Sequence, residues 1–396
     1  MLTLDKVFNA QTVLKNIIRE TNVVRAYGIA PDCELYLKPE NLQITGSFKV
    51  RGSAYKIAML SEEEKAKGVI ACSAGNHAQG VALAATKNGI KSLICLPDTA
   101  PISKVEATKG YGAEVCLVEG CYDDAYKKAL ELRDSEGYTF VHPFDDENVI
   151  AGQGTIALEI LNDLDNIDAI VVPIGGGGLI SGIAYTVKQI RPSVKVYGVQ
   201  AAGAPSMYNS VKDKEIECLP SVSTIADGIA VKQPGENTFH YVSDYVDEIA
   251  LVTDDEVASA ILALIEKQKM IAEGAGATAV AAVMTNKFNL KGKRVVAVVS
   301  GGNIDVTSLS RVIDRGLLNS GRSSSLLIEL IDKPGQLKEI SRIIADCGGN
   351  VTGVHYEKGN TESVNGCFLR IEMETRDFEH VNLITKSIRD EGFKLV

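Results

Sequence analysis

Four short stretches carry residue types whose spacing could do chemistry. In QITGSFKVRG, residues 43–52, Lys49 follows Phe48 and stands among the small or hydroxyl-bearing Thr45, Gly46 and Ser47. A solvated surface lysine needs no such company. An amine that must shed its proton near neutral pH does, because its ordinary pKa of about 10.4 leaves it almost wholly charged. In AIVVPIGGGGLISG, the run Gly175, Gly176, Gly177 and Gly178 joins an apolar strand to a helix that opens with Leu179. Successive glycines let main-chain N–H groups approach an anion closely, and the helix adds its positive end. The run is neither the dinucleotide fingerprint nor a lysine-ended phosphate loop, which disfavours the usual nucleotide sites and fits a single phosphate monoester. A plain flexible linker would lack the strand and helix that flank it so tightly.

The third stretch, ACSAGNHAQG, places Ser73, Ala74, Gly75, Asn76 and His77 in a polar turn ahead of a helix, a second place for an anion such as a carboxylate. His77 has no second histidine or carboxylate at ligand spacing, so packing or loop hydrogen bonding outweighs a metal role. In the fourth, VVAVVSGGN, Ser300 ends an apolar strand before Gly301 and Gly302. Alone, this is no more than turn chemistry. Taken together, a phosphate cradle, a second anion site and a sheltered lysine meet the needs of pyridoxal 5'-phosphate: a phosphate grip, a Schiff-base lysine and a partner for the ring nitrogen.

These stretches need rigid elements to bring them together. From about residue 68, short β-branched runs alternate with helical ones: GVIAC before AQGVALAATKNG, SLICLP before ISKVEATKG, AEVCLVEG before YDDAYKKALELRDSEG, then AIVVPI, KVYGVQ and RVVAVVS. Apolar runs alternating with helices predict parallel sheets covered on both faces, an α/β architecture. Ligands of such sheets bind beyond the carboxyl ends of strands, where the glycine and serine motifs fall. Ser61 and Glu64 form the spacing of a capping box, and Gly68 a stop. Near residues 314–325, DRGLLNSGRSSS has the composition of a domain boundary. The tail beyond it reads strand, helix, strand, strand, helix, strand, a ferredoxin-like βαββαβ order.

Bulk properties bound the rest. Lys and Arg number 41 against 51 Asp and Glu, a net charge of −10, which gives no electrostatic support to a nucleic-acid or anionic-membrane role. No apolar run is long enough to span a membrane, and the N-terminus has neither a secretory nor a clear transit pattern. The eight cysteines contain no CxxC pair and read as buried, reduced thiols of a cytoplasmic protein.

The motifs GSFKVRG, SAGNHAQG, GGGGL and SGGN, in that order, resemble those of fold type II pyridoxal-phosphate enzymes, and within them the threonine (serine) dehydratases, over about residues 5–320. The resemblance implies a catalytic domain at residues 1–320, built of two open twisted α/β sheet subdomains, the smaller at roughly 50–145. It also implies that Lys49 carries the cofactor and serves as base, with Phe48 beside the ring and Asn76 on the ring hydroxyl. Gly175 to Gly178 with Leu179 would hold the phosphate, Ser300 would face the ring nitrogen, and Ser73, Ala74, Gly75, Asn76 and His77 would hold the substrate carboxylate. Residues 321–396 resemble an ACT domain, whose amino-acid or nucleotide effector would sit near Asp332, Pro334, Gly335 and Asn350. The assembly implied is a homodimer or homotetramer.

Two departures refine the expected activity, dehydration and deamination of L-threonine with L-serine as a side substrate. Serine racemases of this family carry a serine where this chain has Ala74, which favours elimination. Divalent-metal members carry a glutamate where this chain has Gln200, so no divalent metal is expected, and a monovalent ion is left open. A racemase, a β-replacing enzyme, a threonine synthase, or a binding protein that has lost catalysis are the competing readings.

Overall fold

The computed structural model describes residues 1–358 and 366–396. They form two compact units, Met1–Leu309 and Ser310–Val396.

The first unit holds two sheets. In the six-stranded sheet the order is Val24–Arg25, Glu34–Pro39, Arg294–Val299, Ala169–Pro173, Lys195–Ala201, Glu248–Val252. Every pairing is parallel except that of Val24–Arg25 with Glu34–Pro39. The second sheet has four parallel strands, ordered Glu114–Val118, Ser92–Pro97, Val69–Cys72, Thr139–Phe140. Val69–Cys72 and Ala169–Pro173 are buried at every position, which explains their unbroken apolar sequences. The mouths of three strands carry the motifs: residues 73–77 after Val69–Cys72, the glycine run after Ala169–Pro173, and Ser300 after Arg294–Val299. The capping box forms as its spacing predicts, with Glu64 N donating to Ser61 Oγ and Ser61 N to the Glu64 carboxylate, and Gly68 ends that helix at φ +85.

The second unit carries strands Ser323–Ile331, Asn350–Lys358, Gly366–Glu374 and Lys394–Leu395, with helices Gln336–Asp346 and Phe378–Asp390. Its antiparallel sheet runs Asn350–Lys358, Gly366–Glu374, Ser323–Ile331, Lys394–Leu395, the ferredoxin-like order. Ile328, Leu369 and Ile371 of the sheet pack against Ile340, Ile344 and Ile384 of the helices. The Gly/Ser-rich stretch 314–325 is helical as far as Asn319, within Val306–Asn319, and turns at Gly321 with φ +67.

The cysteines correct one expectation. All eight are free thiols, but only Cys72, Cys95 and Cys367 are buried, and Cys121 and Cys218 are exposed. The exposed pair sits in loops that line a cavity, outside the strands that bury Cys72, Cys95 and Cys367. Among the described residues no helix is long and apolar enough to cross a membrane.

Candidate active site

The lysine segment is fastened to the serine segment before its helix begins. Ser47 pairs with Gly301 in an antiparallel bridge, Phe48 N donates to Ser300 O at 3.1 Å, and Gly302 N donates to Gly46 O at 2.9 Å. Gly46, at φ +70, lies so close to the Asn303 side chain that a Cβ would collide with it. Lys49 then opens helix Lys49–Ala58, its Nζ donating to Pro143 O at 2.9 Å and lying 5.4 Å from the Phe48 ring centre. Burial pushes its amine down to about 8, against the opposing pull of the Glu273 carboxylate. Such an amine is neutral in about a tenth of molecules at pH 7, against well under a hundredth for an ordinary lysine.

A cavity of about 1090 Å³ lies over these elements. Phe48, Lys49, Ser73, Ala74, Gly75, Asn76, His77, Gly175, Gly176, Gly177, Gly178, Leu179 and Ser300 all line it. Residues far apart in sequence are therefore brought to one place. Asp332, Pro334, Gly335 and Asn350 belong to the second unit, where Gly335 at φ +98 precedes helix Gln336–Asp346 and Asn350 Nδ2 donates to Glu374 Oε2 at 2.8 Å.

The glycine run is demanded by its surroundings. A Cβ on Gly176 would stand 2.5 Å from the Phe144 ring, and one on Gly177 2.7 Å from Thr238 Cβ. Gly177 also holds φ +99, a left-handed conformation that glycine alone adopts without strain. Thr238 Oγ1 donates to Gly176 O at 2.6 Å and pins the loop. Helix Gly178–Ile190 starts there, with first-turn N–H groups that have no partner inside the helix.

His77 is buried, with Nε2 2.8 Å from Val141 O and Nδ1 3.4 Å from Ser53 Oγ. Burial, with Lys49 nearby, pushes it down to about 3, so it is neutral and serves as a packed hydrogen-bonding group. His142 accepts from Asp145 N at 2.7 Å and from Phe144 N at 3.3 Å through Nδ1, and burial pushes it down to about 4. Ser300 is 3% exposed, its hydroxyl 3.4 Å from Ala275 O.

Two cavity residues had escaped the sequence reading. Glu273 Oε1 accepts from Asn76 Nδ2 at 2.6 Å, and Asn303 Nδ2 donates to Asn76 Oδ1 at 2.8 Å. Asn303 is part of the SGGN motif, which could have drawn attention to it; Glu273 has no local signal beyond the small residues of EGAGA that follow it. Arg51 lies outside the cavity lining and is wholly buried between Glu40 and Glu159. Among the described residues no group of three or more His, Cys, Asp or Glu side chains could hold a metal ion. Gln200 is buried, and its Oε1 accepts from Tyr208 N at 2.7 Å.

A lysine with a lowered pKa, a glycine cradle at a helix start and an uncharged hydroxyl at a strand mouth, set on parallel α/β sheets, define an enzyme built around a phosphate-bearing carbonyl cofactor. The residues fit such a group: the cradle has no room for side chains on its protein face, which leaves its main chain for the phosphate, and the amine is already shifted toward its neutral form. The family described as pyridoxal-phosphate dependent enzyme matches residues 14–301, and the chain belongs to it.

The chain is 48% identical to an L-threonine ammonia-lyase of Thermotoga maritima over 398 aligned residues, 100% of this chain and 99% of the relative. The processed form of threonine deaminase isoform 2 from Solanum lycopersicum superposes with a TM-score of 0.75 at 38% identity, covering 78% of this chain and 93% of that one. Maize serine racemase also gives 0.75, at 34% identity, covering 80% and 98%.

Proposed function

We propose that this chain is a threonine ammonia-lyase that converts L-threonine to 2-oxobutanoate and ammonia, with L-serine to pyruvate as a side activity. The observation that carries the reading is the convergence of Lys49, the 73–77 turn, the glycine run and Ser300 on one cavity, in a chain that aligns end to end with a relative of that activity.

Bound pyridoxal phosphate supplies an electron sink that allows an amino acid to lose its α proton. The chain's own residues do the rest. Lys49 anchors the group, and its amine, once released, takes the proton from the substrate Cα. The 73–77 turn and the start of helix Asn76–Lys87 hold the substrate carboxylate with main-chain N–H groups. Gly175 to Gly178 and Leu179 would grip the phosphate, and Asn76 would hold the ring hydroxyl. Ser300 would offer the ring nitrogen a neutral hydroxyl, which would leave that nitrogen uncharged and favour prompt loss of the β-hydroxyl over transamination.

A racemase is the second reading, favoured by the same TM-score of 0.75 with maize serine racemase. Ala74 argues against it, because a methyl cannot return a proton to the opposite face of Cα. Purified holoprotein given L-serine and L-threonine separates the two. A lyase yields 2-oxo acid and ammonia, whereas predominant D-serine would establish the racemase and end the present reading.

For the second unit we propose an ACT-type regulatory role, with an amino-acid or nucleotide effector near the turn carrying Asp332, Pro334, Gly335 and the start of the strand at Asn350. The support is the ferredoxin-like sheet order with a glycine turn at a helix start. We also propose a homodimer or homotetramer acting in the cytoplasm. An activity screen against amino acids and nucleotides, repeated on a chain ending near Gly321, tests the effector: loss of response on truncation supports it, and an unchanged response removes it.

A further inference from the structure

Glu273 occupies the N-cap position of helix Gly274–Met284, with φ −77 and ψ 168, yet its side chain takes no hydrogen bond from that helix. A carboxylate at an N-cap ordinarily accepts from the N–H groups of the first turn. This one turns instead into the cavity, where Oε1 accepts from Asn76 Nδ2 at 2.6 Å. It is 5% exposed, and its main chain is tied down by Glu273 N donating to Gly301 O at 3.1 Å. Gly301 in turn has no room for a Cβ beside that carboxylate. An acid withdrawn both from water and from its capping task is an expensive arrangement for packing alone.

Asn76 is held from both sides. Its Oδ1 accepts from Asn303 Nδ2 at 2.8 Å, and the same Asn303 nitrogen donates to Thr45 O at 2.7 Å. With Oδ1 matched to a donor and one Nδ2 hydrogen given to Glu273, the amide has a single orientation, and its second Nδ2 hydrogen is left for a group entering the cavity.

We infer that Glu273 is a positioning residue of the cofactor pocket: it locks the Asn76 amide so that one N–H is reserved for the cofactor, and its charge sets the field around Lys49. The inference rests on the reading of Lys49 and Asn76 proposed above. The charged groups facing Glu273 are Lys49, Asp227 and Lys104, the last two joined at 2.9 Å, while His77 and His142, which feel the charge of Lys49, are neutral. Burial, with Asp227 adding to it and Asn76 opposing, pushes the Glu273 carboxyl up to about 7, so the field switches within the neutral range. A negative charge favours the protonated form of each neighbour, so ionisation of Glu273 holds protons on the groups around Lys49.

The test is an absorbance titration of the loaded protein in wild type, Glu273→Gln and Glu273→Asp, with cofactor affinity measured by fluorescence in Glu273→Ala. The wild-type cofactor band should change through about pH 7, the value to which Glu273 is pushed. Glu273→Gln, which keeps the shape, should retain the band and lose that inflection, and Glu273→Asp should keep it. Glu273→Ala should bind the cofactor about tenfold more weakly, the effect of one buried hydrogen bond to a charged group. An inflection that persists in Glu273→Gln, or is missing from wild type, overturns the inference even if Glu273→Ala fails to fold. A wild-type protein that shows no cofactor band at all overturns instead the reading of Lys49 on which it rests.

Discussion

Lys49 and Arg51 stand two residues apart at the start of one helix and meet opposite environments. Positions i and i+2 of a helix diverge by roughly 200°, so one side chain enters the cavity and the other the protein interior. Lys49 has a main-chain carbonyl as its hydrogen-bond acceptor and an amine pushed down to about 8 by burial. Arg51 donates to Glu40 through Nε and NH2, at 2.8 Å each, and to Glu159 through NH1 at 2.5 Å and NH2 at 2.8 Å. Burial alone would lower its pKa, but the two carboxylates raise it above its ordinary value. The segment that presents the reactive amine is thereby anchored by a cation that stays charged.

Arg51→Met should therefore destabilise the fold by about 3–5 kcal/mol, because Glu40 and Glu159 lose their main buried counter-charge. Lys38 Nζ, 2.5 Å from Glu159 Oε2, compensates in part. Arg51→Lys keeps the charge without the fork and should fall between the two. Urea unfolding at neutral pH measures this, and a loss below about 1 kcal/mol in Arg51→Met would show that the network does not hold the segment. The network also has an acid limit. Burial would raise the Glu40 carboxyl, but Arg51 holds it below its ordinary value, so its stabilising contribution is present above the usual carboxylate range and is lost as pH falls through the lowered value.

Glu273 makes the opposite prediction. Its folded pKa of about 7 lies above the ordinary 4.5, so the folded state holds the proton more tightly and stability falls as pH rises between those values. Glu273→Gln removes the titration. Relative to wild type the variant should gain up to about 3 kcal/mol between acidic and mildly alkaline pH. Unfolding free energies measured across that range decide it, and a difference that stays constant with pH would contradict the raised value.

Gly177→Ala should damage cofactor binding more than folding. The positive φ costs about 1–3 kcal/mol for a residue with a side chain, and the added methyl presses on Thr238 and Met207 and shifts the loop. Equilibrium dialysis should show cofactor affinity reduced about tenfold or more, as expected if relaxation of the loop costs at least one well-placed hydrogen bond to phosphate. Wild-type affinity would remove the glycine run from the phosphate site.

Much of this site was legible because its parts are local. The glycine run, the 73–77 turn and Ser300 each announce themselves by small residues at the end of an apolar run, and the strands that carry them are buried throughout or nearly so. Glu34–Pro39 gave no such signal, since Glu34 and Lys38 interrupt its apolar pattern, yet it lies between two other strands of its sheet. Glu273 was invisible for a different reason: its partner Asn76 is 197 residues away, and only the packing of helix Gly274–Met284 against the Ser300 mouth brings them together. The Arg51 network was hidden for the same reason, since Glu159 stands 108 residues from Arg51. The cysteines misled where a loop residue, Cys121 or Cys218, was judged by the company of the buried ones.

The central claim is that Lys49 carries the cofactor, and it can be tested by chemistry on the intact protein. Borohydride reduction of the loaded protein, followed by digestion and mass spectrometry, fixes the pyridoxyl group to whichever amine held it. The predicted result is a label on Lys49 alone and none on a Lys49→Ala protein. A label on another lysine, or an unlabelled protein that still deaminates L-threonine, would contradict it.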